Sequence, residues 1–265
     1  MGKRHRDKVA VVSGAAEGLG QAFAIRLAED GAHVVLVDRK GAGETAKQIA
    51  AHRREALAVA CDVSSESDVA ALAKAVEQKF SCCDILVNAA GIYPPQPFAE
   101  MTFADWRRML SINLDSMFLM TKAFAAGMRS RHWGRIVNIA SDTVSQAMPN
   151  YVHYIASKMG VIGFTRAIAS EFGPDGVTAN VIAPGLTRTP GTLARGNWPG
   201  GRSAEQFFEF SGALHPIPRV GTPDDMVGTL SYLTGDDAAY VTGQTIFVDG
   251  GLTLFPSFRE PWSSE

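Results

Sequence analysis

The stretch SGAAEGLG, residues 13–20, joins an apolar run, Lys8–Ser13, to an amphipathic run, Leu19–Asp30. Glycine permits a tight turn between a strand and a helix, and a helix N-terminus offers unpaired N–H groups to a pyrophosphate. A glycine-rich turn alone is a weak signal, but its place between a strand and a helix is typical of dinucleotide-binding turns. The sequence therefore predicts cofactor contacts from Gly14, Gly18, Leu19 and Gly20.

Short apolar runs alternate with longer amphipathic runs along the rest of the chain. The short runs are rich in Val and Ile and carry few charges, as strands covered on both faces should. Strand–helix alternation favours parallel strands joined by right-handed crossovers, so we predict an α/β fold with a single Rossmann-like, doubly wound sheet and helices on both faces. The predicted strands are Lys8–Ser13, His33–Asp38, Ala56–Cys61, Asp84–Val87, Arg135–Ala140, Val177–Ile182 and Gln244–Val248. The long central helices are predicted over Phe103–Met128 and His153–Phe172.

Composition and charge limit the class of protein. Hydrophobic residues make up 46% of the 265 and charged residues 20%, which excludes a disordered or fibrous chain. The net charge of −2 argues against a nucleic-acid partner, because such proteins neutralise phosphates with a basic excess. No run approaches the ~18 apolar residues of a membrane span, and the basic start lacks the apolar run of a secretory signal. We expect a single cytoplasmic domain over 1–265, with 1–7 as an N-terminal extension and no membrane partner.

The cysteines do not form a recognisable site. Cys61, Cys82 and Cys83 are an odd number of thiols without the spacing of metal ligands. Free thiols in a reducing compartment explain them most simply, and we predict no metal site. A redox role for the adjacent pair is the weaker alternative.

The segment 186–218 interrupts the alternation. It shows no strand pattern, is rich in Gly and Pro, and follows the carboxyl end of a predicted strand. A long irregular insertion at this place is often a substrate loop or lid. The alternative is that its aromatic residues only pack a short helix onto the body of the domain; they are Trp198, Phe207, Phe208 and Phe210. The tail, 252–265, either frays or packs on a neighbouring subunit.

Asp38 ends the second predicted strand, where a carboxylate can accept hydrogen bonds from the adenosine ribose hydroxyls of a dinucleotide. Because a carboxylate there repels a 2′-phosphate, NAD is predicted as the cofactor in preference to NADP. The adjacent Arg39 could soften this preference by pairing with a phosphate. Asp38 could instead only cap the next turn.

Tyr154 and Lys158 are four residues apart and therefore share one face of the predicted helix. A phenol with a pKa of about 10 is a poor base at neutral pH, and a neighbouring ammonium favours the phenolate and lowers that pKa. The spacing predicts an acid/base pair. Such pairs also arise by chance, and Tyr151 lacks a partner of this kind because Ile155 lies at its i+4 position.

Several further motifs accompany this pair in the sequence: Gly14…Gly18-Leu19-Gly20, Asp62-Val63, Asn88-Ala89-Ala90-Gly91, Asn113, Ser141, Tyr154…Lys158 and Pro184-Gly185. In order and spacing they resemble the short-chain dehydrogenase/reductase family, and the resemblance covers nearly the whole chain. Two departures are mild. Ser13 stands where Thr is commonest in the family, and Ala89 stands where a second Asn is commonest.

The resemblance implies an oxidoreductase in which a nicotinamide cofactor carries the hydride. Tyr154 would be the general acid/base, and Lys158 would lower its pKa and hold the nicotinamide ribose. Ser141 would hydrogen-bond the reacting oxygen, and Asn113 would position a water in the proton relay. Cofactor contacts are implied for Gly14, Gly18, Leu19, Gly20, Asp38, Asp62, Val63, Asn88, Gly91, Tyr154, Lys158, Pro184, Gly185 and Thr189. Taken singly, Asn113, Ser141 and Thr189 could each be only structural.

The residues expected around the substrate are mostly apolar or aromatic, and they include no basic cluster beyond Arg188, Arg195 and Arg202. This favours a small hydrophobic or aryl secondary alcohol and its ketone. The predicted pocket residues are Ile92, Tyr93, Asp142, Thr143, Val144, Met148, His153 and Leu186. We expect His153 to lie on the helix surface rather than to contact substrate.

Two alternatives to an NAD-dependent dehydrogenase stay open. A catalytically idle NAD-binding sensor or scaffold would have no need of Ser141, Tyr154 and Lys158 together. A lyase, epimerase or dehydratase that uses bound nicotinamide without net turnover usually has a larger carboxyl-terminal domain. The resemblance also implies a homotetramer.

Overall fold

The computed structural model describes residues 4–196 and 198–254. Its strands are β1 (Val9–Ser13), β2 (His33–Asp38), β3 (Ala56–Ala60), β4 (Ile85–Asn88), β5 (Gly134–Ile139), β6 (Val177–Pro184) and β7 (Thr245–Val248). Within the described residues these seven strands form one parallel sheet in the order β3-β2-β1-β4-β5-β6-β7. The strand order reverses between β1 and β4, which is the switch point of a doubly wound sheet. The predicted single-domain Rossmann-like fold is confirmed.

Helices cover both faces of the sheet. They are α1 (Gly18–Glu29), α2 (Gly43–Ala51), α3 (Glu66–Phe80), α4 (Phe103–Leu110), α5 (Ser116–Ser130), α6 (Val152–Phe172), α7 (Pro190–Leu193), α8 (Ala204–Gly212) and α9 (Pro223–Thr234). Buried side chains of α1, α2 and α9 form one core layer with the sheet, and those of α3, α5 and α6 form the other.

Alternate residues of each strand enter opposite core layers. Val9 and Val11 of β1 pack in the layer of α3 and α5, whereas Ala10 and Val12 pack in the layer of α1 and α9. None of the four is more than 5% exposed. Because the helices cover both faces, the strand is a continuous apolar run rather than an alternating one.

The helix predicted over Phe103–Met128 is not a regular α-helix throughout. A single π-helical segment, Ser111–Asp115, separates α4 from α5. Such segments are rare and often lie at functional sites. The wider turn changes the direction of the side chains on it, and it carries Asn113, which is fully buried.

Segment 186–218 holds α7 and α8, and it contributes no strand to the sheet within its described residues. Trp198 stacks on Phe207 with ring centroids 4.5 Å apart and contacts Phe208 edge-on at 5.5 Å. These contacts pack α8 onto Trp198 of the same segment, whereas the alternative to a lid expected packing onto the body of the domain. Trp198 and Phe207 also line the main cavity, so this packing does not exclude the predicted lid.

The structure describes part of each end of the chain. Of the predicted N-terminal extension, residues 4–7 lie on the body: the His5 amide donates to the Asp30 carbonyl at 2.8 Å, and its ring is buried beside Thr234. Of the predicted tail, 252–254 forms a short 3₁₀ turn, and the rest lies outside the described residues. No helix of the part that the structure describes is long and apolar enough to cross a membrane.

Candidate active site

The glycine turn forms one end of the main cavity. Gly14 and Gly18 have φ angles of 69° and 61°, which only glycine adopts readily. A Cβ added to Gly20 would lie 2.1 Å from the Gly14 carbonyl oxygen, so a side chain there would displace the turn. The first residues of α1 line the cavity, and Glu17 at the N-cap gives them no side-chain cap. Their amide groups thus form a cradle suited to an anion.

Ser13, the last residue of β1, connects this turn to the loop after β4. Its hydroxyl accepts hydrogen bonds from the amides of Ala89 at 3.1 Å and Ala90 at 3.2 Å. The departure from Thr therefore keeps the oxygen that ties β1 to the loop after β4. Ala89 presents only its backbone in this contact, so its small side chain does not disturb it.

Asp38 joins the end of β2 to the glycine turn. One carboxylate oxygen accepts from the Ala16 amide at 3.2 Å, and the other accepts from the Lys40 amide at 3.0 Å. The capping role foreseen for Asp38 is thus present, and the residue also lines the cavity. It borders a second space of about 140 Å³ together with Arg39, Asp62 and Val63.

Asp62 is held in its ionised form at this second space. Its carboxylate accepts from the Ser64 hydroxyl at 2.6 Å and the Ser64 amide at 3.0 Å. These hydrogen bonds lower the pKa of Asp62 below its ordinary value. The side chain is therefore fixed by its own loop, and it borders the region next to Asp38.

The side chain of Asn88, a predicted cofactor contact, lies in a buried chain of hydrogen bonds. Its side chain is buried, and its amide donates to Asn138 at 2.8 Å, whose own amide donates to Thr165 at 2.9 Å. This chain of polar groups, the Asn88–Asn138–Thr165 relay, joins β4, β5 and α6. Asn88 lines neither of the two cavities, whereas the following residues, including Gly91, do.

Ser141, Tyr154 and Lys158 meet on the wall of the main cavity, which has a volume of about 650 Å³. Ser141 follows β5, and the other two lie one turn apart near the start of α6. Ser141 acts on the Tyr154 phenol and favours its ionised form. The Lys158 ammonium lies 5.8 Å from the Tyr154 ring centre and donates to the Ile139 carbonyl at 2.8 Å. The carboxyl ends of β5 and β6 therefore bring the predicted group together.

The prediction that the pKa of Tyr154 is lowered is wrong for the protein alone. Burial raises the pKa of Tyr154, and the nearby Asp142 carboxylate acts in the same direction, while the hydrogen bond to Ser141 opposes it. Burial also lowers the pKa of Lys158 to about 8. The sequence argument counted the ammonium but not the loss of water around both groups. The phenol is consequently protonated at neutral pH.

Asn113 acts as a clamp between two elements. Its side-chain oxygen accepts from the Ile92 amide at 2.8 Å, and its nitrogen donates to the Ile92 carbonyl at 2.9 Å and to Ser157 at 3.2 Å. A Cβ on Gly91 would lie 3.2 Å from this oxygen and 3.6 Å from the Lys158 ammonium. The structural interpretation of Asn113 is thus present, and its predicted role toward a water stays a prediction.

The far end of the cavity is aromatic. The Tyr151 ring lies edge-on to Tyr154 at 5.8 Å, and its hydroxyl accepts a hydrogen bond from Arg195. The Arg195 guanidinium stacks on Trp198 at 4.4 Å. Sequence reasoning missed Tyr151 and Gln146 as cavity residues. The position of Tyr151, one helical turn before Tyr154, was the available signal.

Most of the predicted pocket residues line this cavity, as do the predicted Pro184, Gly185 and Thr189. Val144 and His153 do not. The prediction that His153 lies on the helix surface is wrong, because α4 packs against α6 there and leaves the side chain 1% exposed. The pocket residues confirmed in place are Ile92, Tyr93, Asp142, Thr143, Met148 and Leu186.

The remaining titratable residues do not form a metal site. Within the described ranges, no group of three or more His, Cys, Asp and Glu side chains could hold a metal ion. The three cysteines are free thiols. Burial raises the pKa of Cys61 to about 11 and that of Cys83 well above its ordinary value, which makes both poor nucleophiles.

Comparison with known proteins agrees with this geometry. The sequence model of a family described as enoyl-(acyl carrier protein) reductase matches residues 14–253. A 3-oxoacyl-[acyl-carrier-protein] reductase from Synechocystis is 38% identical over 252 residues, which cover 94% of this chain and 98% of that protein. A D-threitol dehydrogenase from Mycolicibacterium smegmatis is 37% identical over 93% of each chain.

Solved structures share the fold at similar identity. A protein described as a gluconate dehydrogenase, from Agrobacterium tumefaciens, superposes with a TM-score of 0.89 at 34% identity, covering 97% of this chain and all of that one (100%). A protein described as a short-chain alcohol dehydrogenase, from Sinorhizobium meliloti, has a TM-score of 0.87 at 35% identity and covers 94% of this chain and 97% of its own. The chain therefore belongs to the short-chain dehydrogenase/reductase family, whose members are oxidoreductases of alcohol and carbonyl groups that use a nicotinamide cofactor.

Proposed function

We propose that this protein is an NAD-dependent dehydrogenase/reductase that interconverts a small hydrophobic or aryl secondary alcohol and its ketone. The observation that carries the proposal is one continuous cavity. It runs from the glycine turn and Asp38 to the hydroxyls of Ser141 and Tyr154. A dinucleotide at the first end and a substrate at the second would share this space.

The residues at the first end fit a dinucleotide. The cradle at Gly14 and Gly20 admits backbone close to a ligand, and the start of α1 supplies amide donors for a pyrophosphate. Gly91, Pro184, Gly185 and Thr189 would border the nicotinamide half, since they line the same wall. When bound, the cofactor supplies or accepts the hydride.

Tyr154 would exchange the proton with the substrate oxygen. Burial keeps its phenol protonated, which suits proton donation to a ketone. Alcohol oxidation needs the phenolate and is therefore favoured by alkaline pH. The ammonium of Lys158, fixed by the Ile139 carbonyl, would stabilise the negative charge on that phenolate. Ser141 would hold the reacting oxygen through its hydroxyl.

The position of Asp38 supports NAD rather than NADP. Its carboxylate is fixed by two backbone amides, so it cannot turn away from an added phosphate without losing both hydrogen bonds. A 2′-phosphate there would meet a negative charge. Asp62, Val63 and Arg39 would border the adenine side of the site.

The wall of the second end supports an apolar substrate. It includes Tyr93, Met148, Tyr151 and Trp198, and the basic side chains that line the cavity within the described residues are Lys158 and Arg195. The other two arginines of the segment lie elsewhere: Arg188 pairs with Glu205, and Arg202 stacks on Phe210 at 4.4 Å. By their names, two relatives act on 3-oxoacyl-[acyl-carrier-protein] and on D-threitol, so the test includes polyols beside aryl carbinols.

We also propose that the protein is a cytoplasmic homotetramer, and exposed apolar side chains support the contacts between subunits. Phe103 is 77% exposed, Phe118 50% and Met159 51%, and they lie on α4, α5 and α6. Exposed apolar surface of this kind marks contacts between proteins. Light scattering coupled to gel filtration should give the mass of four chains. A monomeric mass would contradict this part of the proposal.

The test is NADH absorbance with purified protein. Secondary alcohols, aryl carbinols, sugars and polyols are supplied with NAD or NADP, and the matching ketones with the reduced cofactors. The matched pair of variants is Tyr154→Phe and Tyr151→Phe, because each removes one hydroxyl from adjoining rings of the same cavity. We expect turnover with NAD, its loss in Tyr154→Phe and its retention in Tyr151→Phe. Tight NADH binding without turnover on any substrate would favour a sensor instead.

A further inference from the structure

We propose that Asp142 is a positioning residue that sets the direction of the Ser141 hydroxyl, so that Ser141 donates to the reacting oxygen only when Asp142 carries a proton. The inference rests on the proposed function, because it concerns the same reacting oxygen. Nothing in the family motifs described above assigns a role to this residue, and the mechanism above does not use it.

Asp142 is a buried carboxyl group in contact with the Ser141 hydroxyl. It follows Ser141 at the end of β5, is 5% exposed and lines the main cavity. One of its oxygens lies 3.3 Å from the Ser141 hydroxyl oxygen, and the other accepts from the Gln146 amide at 2.9 Å. Both partners are neutral, and no ion pair of Asp142 is found in the described part of the chain.

The hydrogen-bond capacity of Ser141 creates the dependence. A hydroxyl has one hydrogen to donate and two lone pairs that accept. The amide and the hydroxyl of Thr143 donate to Ser141 at 3.2 Å and 3.0 Å. The single Ser141 hydrogen therefore points either to Asp142 or toward the substrate side of the cavity. An ionised Asp142 is the stronger acceptor and holds that hydrogen.

A protonated Asp142 has the opposite effect. A carboxylic acid is a weaker acceptor than a carboxylate, so it no longer holds the Ser141 hydrogen, which can then point at the reacting oxygen. A donor aimed at the oxygen where negative charge develops is a large term in catalysis, about 10²–10³ in rate for a single donor. The protonation state of one buried carboxyl thus sets whether Ser141 supplies this donor.

The surroundings of Asp142 raise the pH range over which it is protonated to just below neutral. Burial raises the pKa of Asp142 to about 6, and the Asp249 carboxylate, in the turn after β7, acts in the same direction. Tyr154 on α6 is the other titratable group that Asp142 acts on, and it is itself protonated. Lys158 is occupied by the Ile139 carbonyl. No cation in the described residues offsets the burial of the carboxylate.

The experiment compares the pH profile of kcat/KM for carbonyl reduction in wild type and in Asp142→Asn. The Gln146 amide donates to one atom of this side chain, so the asparagine oxygen takes that place. Its NH₂ then faces Ser141 and offers no acceptor for the Ser141 hydrogen at any pH. We expect wild-type kcat/KM to fall about tenfold for each pH unit above about 6. The Asp142→Asn profile should stay flat through the same range, with a melting temperature no lower than that of the wild type.

Two further measurements separate positioning from a structural role. In a Ser141→Ala background, Asp142→Asn should change neither the rate nor the profile, because the coupling passes through Ser141. Infrared difference spectra of the cofactor-free proteins, wild type minus Asp142→Asn, should show a protonated carboxyl that titrates near pH 6. This second readout does not depend on activity.

The possible failures are distinguishable. If the wild type is active but Asp142→Asn shows the same pH dependence of kcat/KM, the inference alone is overturned. A carboxyl that is already ionised at pH 5, or a uniform loss of rate together with a lower melting temperature, also overturns it. A wild type that reduces none of the carbonyl compounds with either cofactor overturns the proposed function and this inference with it.

Discussion

Two buried titratable groups should have opposite and nearly equal effects on how the stability of this protein changes in acid. His5 is fully buried between α1 and α9, and burial lowers its pKa from 6.5 to about 4. Asp142 is 5% exposed, and burial raises its pKa from 3.8 to about 6. As pH falls from 6.5 to 4, the unfolded chain protonates His5 while the folded protein resists it, so stability is lost. Over nearly the same range the folded protein gains a proton on Asp142, which restores stability.

The magnitudes follow from 1.36 kcal/mol per pKa unit. Each group contributes about 3 kcal/mol between its two pKa values. Wild type should therefore show little net slope from these two groups between about pH 6 and 4. The glutamine amide in His5→Gln can still hydrogen-bond the Thr234 hydroxyl. In this variant the effect of Asp142 should remain, so the free energy of unfolding should rise by about 3 kcal/mol on acidification. In Asp142→Asn the His5 term should remain, and stability should fall by a similar amount.

Urea unfolding at a series of pH values measures these slopes. Protein concentration is kept fixed, because assembly changes apparent stability. All other ionisations are common to the three proteins, so the difference of each variant from wild type isolates one group. Parallel curves for wild type and both variants would refute the reasoning. They would mean that neither side chain has a pKa that differs between the folded and unfolded states.

Three further outcomes can be checked with the same proteins. Asp38→Ser should lower the ratio of NAD to NADP affinity at least tenfold, measured by titration calorimetry, because it removes the charge that opposes a 2′-phosphate. Gly20→Ala should abolish NADH binding while circular dichroism stays native, since its Cβ would lie 2.1 Å from the Gly14 carbonyl oxygen. Asn113→Ala should lower the free energy of unfolding by about 1–3 kcal/mol in urea titration, because it leaves the part-buried backbone amide and carbonyl of Ile92 without these partners.

Local patterns were sufficient for the sheet and for the glycine turn. The strands are buried on both faces and therefore appear as short apolar runs, and the turn at Gly14 needs positive φ angles. The same patterns located Tyr154 and Lys158, because an i,i+4 spacing fixes their relation within one helix. These features depend on residues that are close together in the sequence, so they can be predicted from the sequence alone.

Other properties depend on contacts between distant residues. The burial of His153 follows from the packing of α4 on α6, which helical periodicity alone does not show. The raised pKa of Tyr154 follows from desolvation by the assembled cavity. Asn88 is the last residue of β4 and directly follows the predicted strand Asp84–Val87, but its side chain is hydrogen-bonded to Asn138 on the next strand. In each case the controlling neighbour lies on another element.

The Asn88–Asn138–Thr165 relay places a constraint on how this sequence can diverge. All three side chains are at most 2% exposed, and replacing any one with an apolar residue leaves a buried polar partner unsatisfied, at about 1–3 kcal/mol. Replacing all of them together removes that penalty. These positions should therefore change in concert among descendants, and a library that randomises one of them should recover the starting residue.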